Sequence, residues 1–523
     1  MLANSFKKVG LATIRNNKFY LSNTLASQKQ FIQKFNMTTG ASKKVLHEGN
    51  INKNVRNVEY AVRGALAIRA EEIREALENG EKFPFKSVVG CNIGNPQQVG
   101  QKPITFFRQV AALTEVPELL EGENLAKTEA LFPKDVIARA KEIISHVKTV
   151  GAYSHSQGVP YIRQRVAKFT EERDGFSADP NHIFLTSGAS AGVQLGLQLL
   201  IEHSNVGVMI PIPQYPLYTA SLALFDGKPV PYYLDESSDW GLNVDDLRAS
   251  LKKSRDEGVD VRSLVIINPG NPTGQCLTFD NMKEIVQFCK EEKLILMADE
   301  VYQVNIYQPE TRPFHSFKKV VRSLGPEYDD FELISFHSIS KGMIGECGRR
   351  GGYFELCGFD PKVIAQIYKI ASVSLCPNVP GQIMVDLMLH PPAKGDESYD
   401  LYHSELNGIY ESLKRRALKL CAAFNSLEGV TCNEAQGAMY LFPQITLPAG
   451  AVEAAKAQGT QPDELYCMEL LNATGVCLVP GSGFGQKDGT YHFRSTFLPP
   501  ENLFDDFIGG IKQFHENFLA KYN

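Results

Sequence analysis

The stretch "SLVIINPGNPTGQCLTFDNMKEIVQFCKEEKLILMADEVYQ", residues 263–303, changes periodicity twice. An apolar run rich in β-branched residues, Ser263 to Ile267, enters a Pro-Gly loop. An amphipathic helical pattern follows over "TFDNMKEIVQFCKEEK", and a second apolar run, "LILMA", ends on Asp299. Strand, helix and strand at this spacing form a unit whose two strands lie parallel. The rhythm extends outward: "HIFLT" precedes "SAGVQLGLQLLIEH", "VGVMIPI" precedes "YPLYTASLALF", and "FELISFH" supplies a further strand. The expected fold is α/β, a mostly parallel sheet covered by helices on both faces.

Ligands of an open parallel sheet gather at the carboxyl ends of its strands. Here the ends of the five predicted strands read "TSGAS", "PIPQYP", "NPGNPTG", "ADEVYQ" and "HSISK". Each is polar, glycine-rich or aromatic, which points to one site assembled from distant parts of the chain.

The chemistry of those ends is specific as a set. Gly188-Ala189-Ser190 lies where a strand turns into a helix, and a helix N-terminus offers unpaired amides and a positive dipole end to an anion. Alone it would read as an ordinary Ser-capped turn. Asp299 ends an apolar strand, where a carboxylate is costly without a cation beside it. A protonated pyridine nitrogen is such a cation, and the carboxylate favours its charged form. Tyr302 and Asn271 add polar groups, and Tyr215 offers a face for stacking. Lys341 sits in "SFHSISKGMIGECGRRGGYFEL", residues 335–356, among small residues that leave room for a large flat ligand. A lysine amine forms a Schiff base with an aldehyde, and Ser338 with Arg349 or Arg350 is spaced to grip a phosphate. Lysine, pyridinium partner, phosphate cup and stacking ring together describe pyridoxal 5′-phosphate (PLP). Neither a G-x-x-x-x-G-K-S/T loop nor a G-x-G-x-x-G turn opens a helix, which argues against a dehydrogenase.

The bulk sequence fits an enzyme of this kind. At 523 residues the chain is long enough for two domains, and its 43% hydrophobic and 22% charged content is ordinary for a globular protein. No window has the apolar length of a membrane span, and the net charge of −5 gives no sign of nucleic-acid binding. Ten cysteines include no C-x-x-C pair, so no metal site is expected, and they read as free thiols in a reducing compartment. Between Met1 and His47 stand eight lysines and arginines and no acid, with many Ser, Thr and Asn residues. We read residues 1–47 as a mitochondrial transit peptide, and Met37 as an internal start for a cytosolic form. Without that segment 46 basic residues face 59 acidic ones, a net of −13. A helix is expected over 59–80, stopped by Asn79-Gly80. Residues 48–150 are read as an N-terminal segment with part of a small domain, 151–389 as the large ligand-binding domain, and 390–523 as a small, helix-led C-terminal domain.

From about residue 55 to its end the chain resembles the fold-type I, class I and II PLP-dependent aminotransferases, and within them the eukaryotic alanine-transaminating subgroup. The resemblance is carried by "GAYSHSQGVPYIRQRVAKFTEERDGF", "LTSGASAGVQ", "MIPIPQYPLY", "INPGNPTGQ", "DEVYQ" and "SKGMIGECGRRGGY". It implies that Lys341 forms the Schiff base and shuttles the proton between the substrate Cα and the cofactor, and that Asp299 pairs with the pyridinium nitrogen. Asn271 and Tyr302 would bond the ring's phenolic oxygen, and Tyr215 would stack on the ring. Ala189, Ser190, Ser338 and Arg350 would hold the phosphate; Arg350 is preferred to Arg349 because it directly precedes the glycine pair. Arg494, in "FRSTFLP", would clamp the substrate α-carboxylate. Tyr153 would reach the phosphate of a neighbouring subunit, making a homodimer with shared sites. The implied reaction is L-alanine plus 2-oxoglutarate to pyruvate plus L-glutamate, with ping-pong kinetics, in the mitochondrial matrix. Rival readings are a glutamate:glyoxylate aminotransferase of the same subgroup, an aminocyclopropane-carboxylate synthase, and a non-catalytic regulatory or binding protein on the same fold. His155, His337 and His492 are assigned no chemistry.

Overall fold

Seven strands build the central sheet: β1 (Ile183–Thr186), β2 (Val206–Ile212), β3 (Lys228–Tyr233), β4 (Asp260–Ile267), β5 (Ile295–Asp299), β6 (Leu333–Ser338) and β7 (Gly352–Cys357). Their spatial order is β1-β7-β6-β5-β4-β2-β3, and every neighbouring pair is parallel except the two made by β7. The mostly parallel α/β sheet therefore stands as read from the sequence. The computed structural model describes residues 44–60 and 64–523. Met37 and all but the last residues of the transit segment expected over 1–47 lie outside the described residues.

Strand alternation divides the apolar residues between two faces. In β4, Val265 and Ile267 join the cluster under one set of helices, while Leu264 and Ile266 join the cluster on the other side. In β5, Met297 goes one way and Leu296 and Ala298 the other. Each buried aliphatic side chain contributes about 1.5–3 kcal/mol, so a one-residue slip of register would invert both cores.

Three helices matter for the strand-end residues and for the core described next: α1 (Ala65–Glu78), α2 (Ala189–Leu200) and α3 (Leu217–Leu224). Helix α1 starts later than the residue-59 start expected from the sequence. Gly64 is its N-cap and Glu59 and Tyr60 are not helical, whereas the Asn79-Gly80 stop is observed, with Gly80 at φ +85°. Its buried residues Ala70 and Ile73 pack on Leu471 and Cys477.

The last quarter of the chain makes most of a second core. The long helix Tyr399–Asn425 and the terminal helix Phe504–Tyr522 enclose it. Its small antiparallel sheet sets Tyr440–Leu441 and Val479–Pro480 on either side of Phe493–Thr496. The strand Val89–Gly90 pairs in parallel with Val476–Cys477, tying the N-terminal part of the chain to this core. Residues 104–143 bury their apolar face elsewhere, against the helices Pro160–Asp174 and Val379–Leu389 beside β1.

Candidate active site

Because β1, β2, β4, β5 and β6 run parallel, their carboxyl ends open on one edge of the sheet. Asp299 is the last residue of β5, in register with Ile267 of β4 and Phe336 of β6. That register sets Asn268, which donates its amide to the Asp299 carbonyl at 3.0 Å, and Ser338 on either side of the carboxylate strand.

Asp299 is buried, and burial pushes its carboxyl above the ordinary range. A hydrogen bond from Tyr218, the nearby Lys341 charge and the Val301 amide act in the opposite sense. The Tyr218 hydroxyl donates to Oδ2 at 2.9 Å. Oδ1 has no hydrogen-bond partner among the described residues. Lys341, in the turn after β6, holds Nζ over two rings, 5.7 Å from the Tyr215 centroid and 5.4 Å from that of Tyr302. The Tyr302 hydroxyl donates to that of Tyr440 at 3.1 Å, and the Tyr215 hydroxyl lies 2.8 Å from that of Tyr60. The lysine thus stands between the buried Tyr302 ring and the half-buried Tyr215 ring, beside a buried acid.

A second group of residues forms a cup around the start of α2. Gly188, its N-cap, has φ +87°, and a Cβ there would overlap Nη2 of Arg350. Gly352, the first residue of β7, approaches the Ala189 amide so closely that its own Cβ would lie 2.9 Å away. Arg350, at φ +54°, donates to the Ser187 carbonyl and the Ser340 hydroxyl, each at 3.2 Å. Ser338 Oγ accepts from the Ser340 amide at 3.1 Å. Ala189, Ser190, Ser338 and Arg350 therefore meet at one helix N-terminus, a place that suits an anion.

The small sheet presents Arg494 from the other side. It is 1% exposed, with its guanidinium carbon 4.3 Å from the Tyr440 ring centroid and 4.6 Å from that of Phe484. Nη1 donates to Asn271 Oδ1 at 3.0 Å and Nη2 to the Asn92 carbonyl, while Nε has no partner among the described residues. Asn271 thus has its carbonyl oxygen committed to Arg494.

Of the residues singled out in the sequence, Tyr153 stands apart on the surface, 79% exposed. The sequence reading missed Tyr218, Tyr60, Tyr440 and Phe484. Tyr218 follows Tyr215 by one helical turn in "QYPLY", the one local signal available. His492 is a satisfied structural residue, bonded to Glu236 and Gln486 at 3.0 Å each and stacked on Phe442. A cleft of about 1140 Å³ runs between β3 and residues Phe442 and His492, but neither Lys341 nor Asp299 lines it. We therefore place the site at the strand ends.

The arrangement offers a base flanked by aromatic faces, an acid oxygen free to meet a cation, an anion cup and a buried guanidinium. Known proteins resemble the chain over most of its length. Residues 114–505 match the model of the family described as aminotransferase class I and II. The chain is 55% identical, over 92% of its length and 90% of the relative's, to a probable mitochondrial alanine aminotransferase of Dictyostelium discoideum. It is 50% identical, over 92% of its length and 98% of the relative's, to glutamate–glyoxylate aminotransferase 1 of Arabidopsis thaliana. The crystal structure of an aminotransferase from Escherichia coli superposes with a TM-score of 0.69 at 26% identity, covering 90% of this chain and 98% of that one.

Proposed function

The chain belongs to the class I and II aminotransferases, and from that premise we propose that it moves the amino group of L-alanine to 2-oxoglutarate, giving pyruvate and L-glutamate. One observation carries the catalytic assignment: Lys341 Nζ lies over the rings of Tyr215 and Tyr302 beside the buried Asp299, whose Oδ1 is unpartnered among the described residues.

Members of this family generally depend on PLP. The residues suit that group: the orphaned Asp299 oxygen fits a protonated pyridine nitrogen, and the close approach of Gly188 and Gly352 leaves the first amides of α2 open to a phosphate. Ala189, Ser190, Ser338 and Arg350 would hold the phosphate, Asn271 and Tyr302 the phenolic oxygen, and Tyr215 the ring face. When bound, PLP acts as an electron sink that acidifies the substrate Cα–H.

The chain's own groups do the rest. Arg494 binds the substrate α-carboxylate through its planar fork, oriented by Asn271 and by the two rings that enclose it. Lys341 Nζ would accept the proton from the substrate Cα and deliver it, on the same face, to the cofactor carbon C4′. Asp299, kept from water by burial, retains its charge by facing a cation. Both half-reactions use one site, which makes the kinetics ping-pong. Lys341→Ala tests the assignment: turnover should vanish while the fold persists, and a fully active variant would refute it.

A glutamate:glyoxylate reaction is the second reading, favoured by the 50% identity to the Arabidopsis relative that bears that name. Comparing kcat/KM for 2-oxoglutarate and glyoxylate with alanine as donor separates the two. We further propose a homodimer in which Tyr153 reaches the partner's phosphate cup. Tyr153, Val373 (82% exposed) and Leu375 form unusually exposed apolar surface for a second copy to cover. We propose residues 1–47 as a mitochondrial transit peptide with a cytosolic form starting at Met37, supported by their basic composition and by the relative named mitochondrial. Packing supports a small domain built from both chain ends, with α1 from the 48–150 segment and residues 390–523, against a large domain of residues 151–389 centred on β1–β7.

A further inference from the structure

Residues 52–60, ahead of α1, lie against the site, and no step of the proposed reaction uses them. Its short helix, Lys53–Asn57, rests on α3: Asn54 Nδ2 donates to the Leu224 carbonyl at 3.3 Å, and Lys53 lies 3.8 Å from Asp226. Further along, Tyr60 packs against the cluster of Trp240, Phe442, Val479 and Phe484, and Phe484 is one of the two rings enclosing Arg494. The Tyr60 hydroxyl lies 2.8 Å from that of Tyr215, with the rings edge-on at 6.5 Å and 70°. Beyond it, α1 is fixed to the second core through Ala70 and Ile73, and Arg69 Nε donates to Asn472 at 3.1 Å. Residues 53–60 are therefore anchored on the large sheet's helix α3 at one end, and at the other Tyr60 touches both Tyr215 and the wall of the carboxylate site.

Tyr215 is half-buried, and a tyrosine hydroxyl drawn out of water costs free energy unless it is hydrogen-bonded, so its partner helps to choose the ring's orientation. Tyr60 is the side-chain partner of the Tyr215 hydroxyl among the described residues. We infer that Tyr60 is a positioning residue: its hydroxyl holds the Tyr215 ring facing Lys341, and residues 52–60 form a strap that couples this ring to the placement of the small domain. The inference rests on the reading that Tyr215 backs the PLP ring. It adds a residue that touches neither substrate nor cofactor and acts through another.

The test is a PLP titration of the full-length apo-protein, followed by the visible band, for wild type, Tyr60→Phe, Tyr215→Phe and the double variant. Loss of one net hydrogen bond predicts that Tyr60→Phe raises the half-saturating PLP concentration about three- to tenfold. The double variant should bind no more weakly than Tyr215→Phe alone, because both singles remove the same bond. Asn54→Ala, remote from the site, should shift the titration in the same direction by loosening the strap, with an unchanged band position. A Tyr60→Phe curve identical to wild type, or independent additive effects of the two tyrosines, overturns the positioning role. A wild-type chain that takes up no PLP overturns the cofactor reading itself, so the two failures are told apart.

Discussion

Tyr218→Phe removes the single oxygen that donates to Asp299 and asks how that carboxyl is kept ionised. In the folded chain the Tyr218 hydroxyl donates to Oδ2 at 2.9 Å, and Oδ1 has no partner among the described residues. Burial raises the Asp299 pKa, and the Tyr218 bond is the foremost influence that lowers it, ahead of Lys341 and the Val301 amide. Without that bond the pKa rises further, so a smaller fraction of the carboxyl is charged at neutral pH and the support for a pyridinium weakens. A hydrogen bond to a charged group is worth about 1.5–3 kcal/mol, which corresponds to roughly a 10- to 150-fold change in rate if it is expressed in the transition state. Stopped-flow single turnovers with alanine should therefore be at least about tenfold slower in Tyr218→Phe, and the acid limb of the pH profile should move upward. The ring itself remains to fill the core, so the melting temperature should change little. A half-reaction with unchanged rate and unchanged acid limb would refute the tuning of Asp299 through Tyr218.

Three other perturbations draw on the same geometry. Arg494→Lys keeps the charge but loses the planar fork held between Tyr440 and Phe484, so KM for alanine and for 2-oxoglutarate should rise together by about a hundredfold, as loss of a charge-assisted pair worth about 3 kcal/mol requires; steady-state kinetics showing a change for one substrate only would contradict the shared clamp. Gly188→Ala drives a methyl into Arg350 Nη2 at a φ of +87°, so thermal unfolding should report a loss of about 1–3 kcal/mol and PLP titration a weaker cup. Glu300, beside Asp299 but bonded to the Phe317 amide at 2.7 Å, is pushed by burial from 4.5 to about 8. Its native carboxyl therefore binds a proton where the unfolded one does not. Its contribution to stability is full below 4.5 and is lost as the pH rises through about 8, by an amount of order a few kcal/mol. Denaturant unfolding of Glu300→Gln should show a flatter slope over that window, and an unaltered slope would mean that Glu300 does not titrate there.

The sheet and its polar strand ends were legible because a parallel strand buried on both faces is a short, continuous apolar run, and five such runs end in loops of special composition. Two strands escaped. In β3, "KPVPYY", Pro229 and Pro231 make the segment look like a loop, yet it lies at the sheet's edge, where missing donors are tolerated. In β7, "GYFELC" comes so soon after the glycine-rich lysine segment that the two merge, and its antiparallel direction depends on tertiary pairing with β1 and β6. At the site, Lys341 and Asp299 were readable because a lysine among glycines and an acid ending an apolar strand each violate a local expectation. Tyr218 and Tyr440 violate none, since a tyrosine in an apolar setting is ordinary core. Tyr60 was hidden by an apparent helical pattern starting at residue 59, whereas the helix begins after Gly64 and leaves Tyr60 free to turn toward Tyr215.

The most direct measurement of alanine transamination at this site is the visible absorption spectrum of the PLP-loaded protein during sequential addition of L-alanine and then 2-oxoglutarate. The expected result is a band that bleaches with alanine and returns with 2-oxoglutarate, with pyruvate and then L-glutamate appearing in equal amounts. A band that ignores alanine would contradict the assignment.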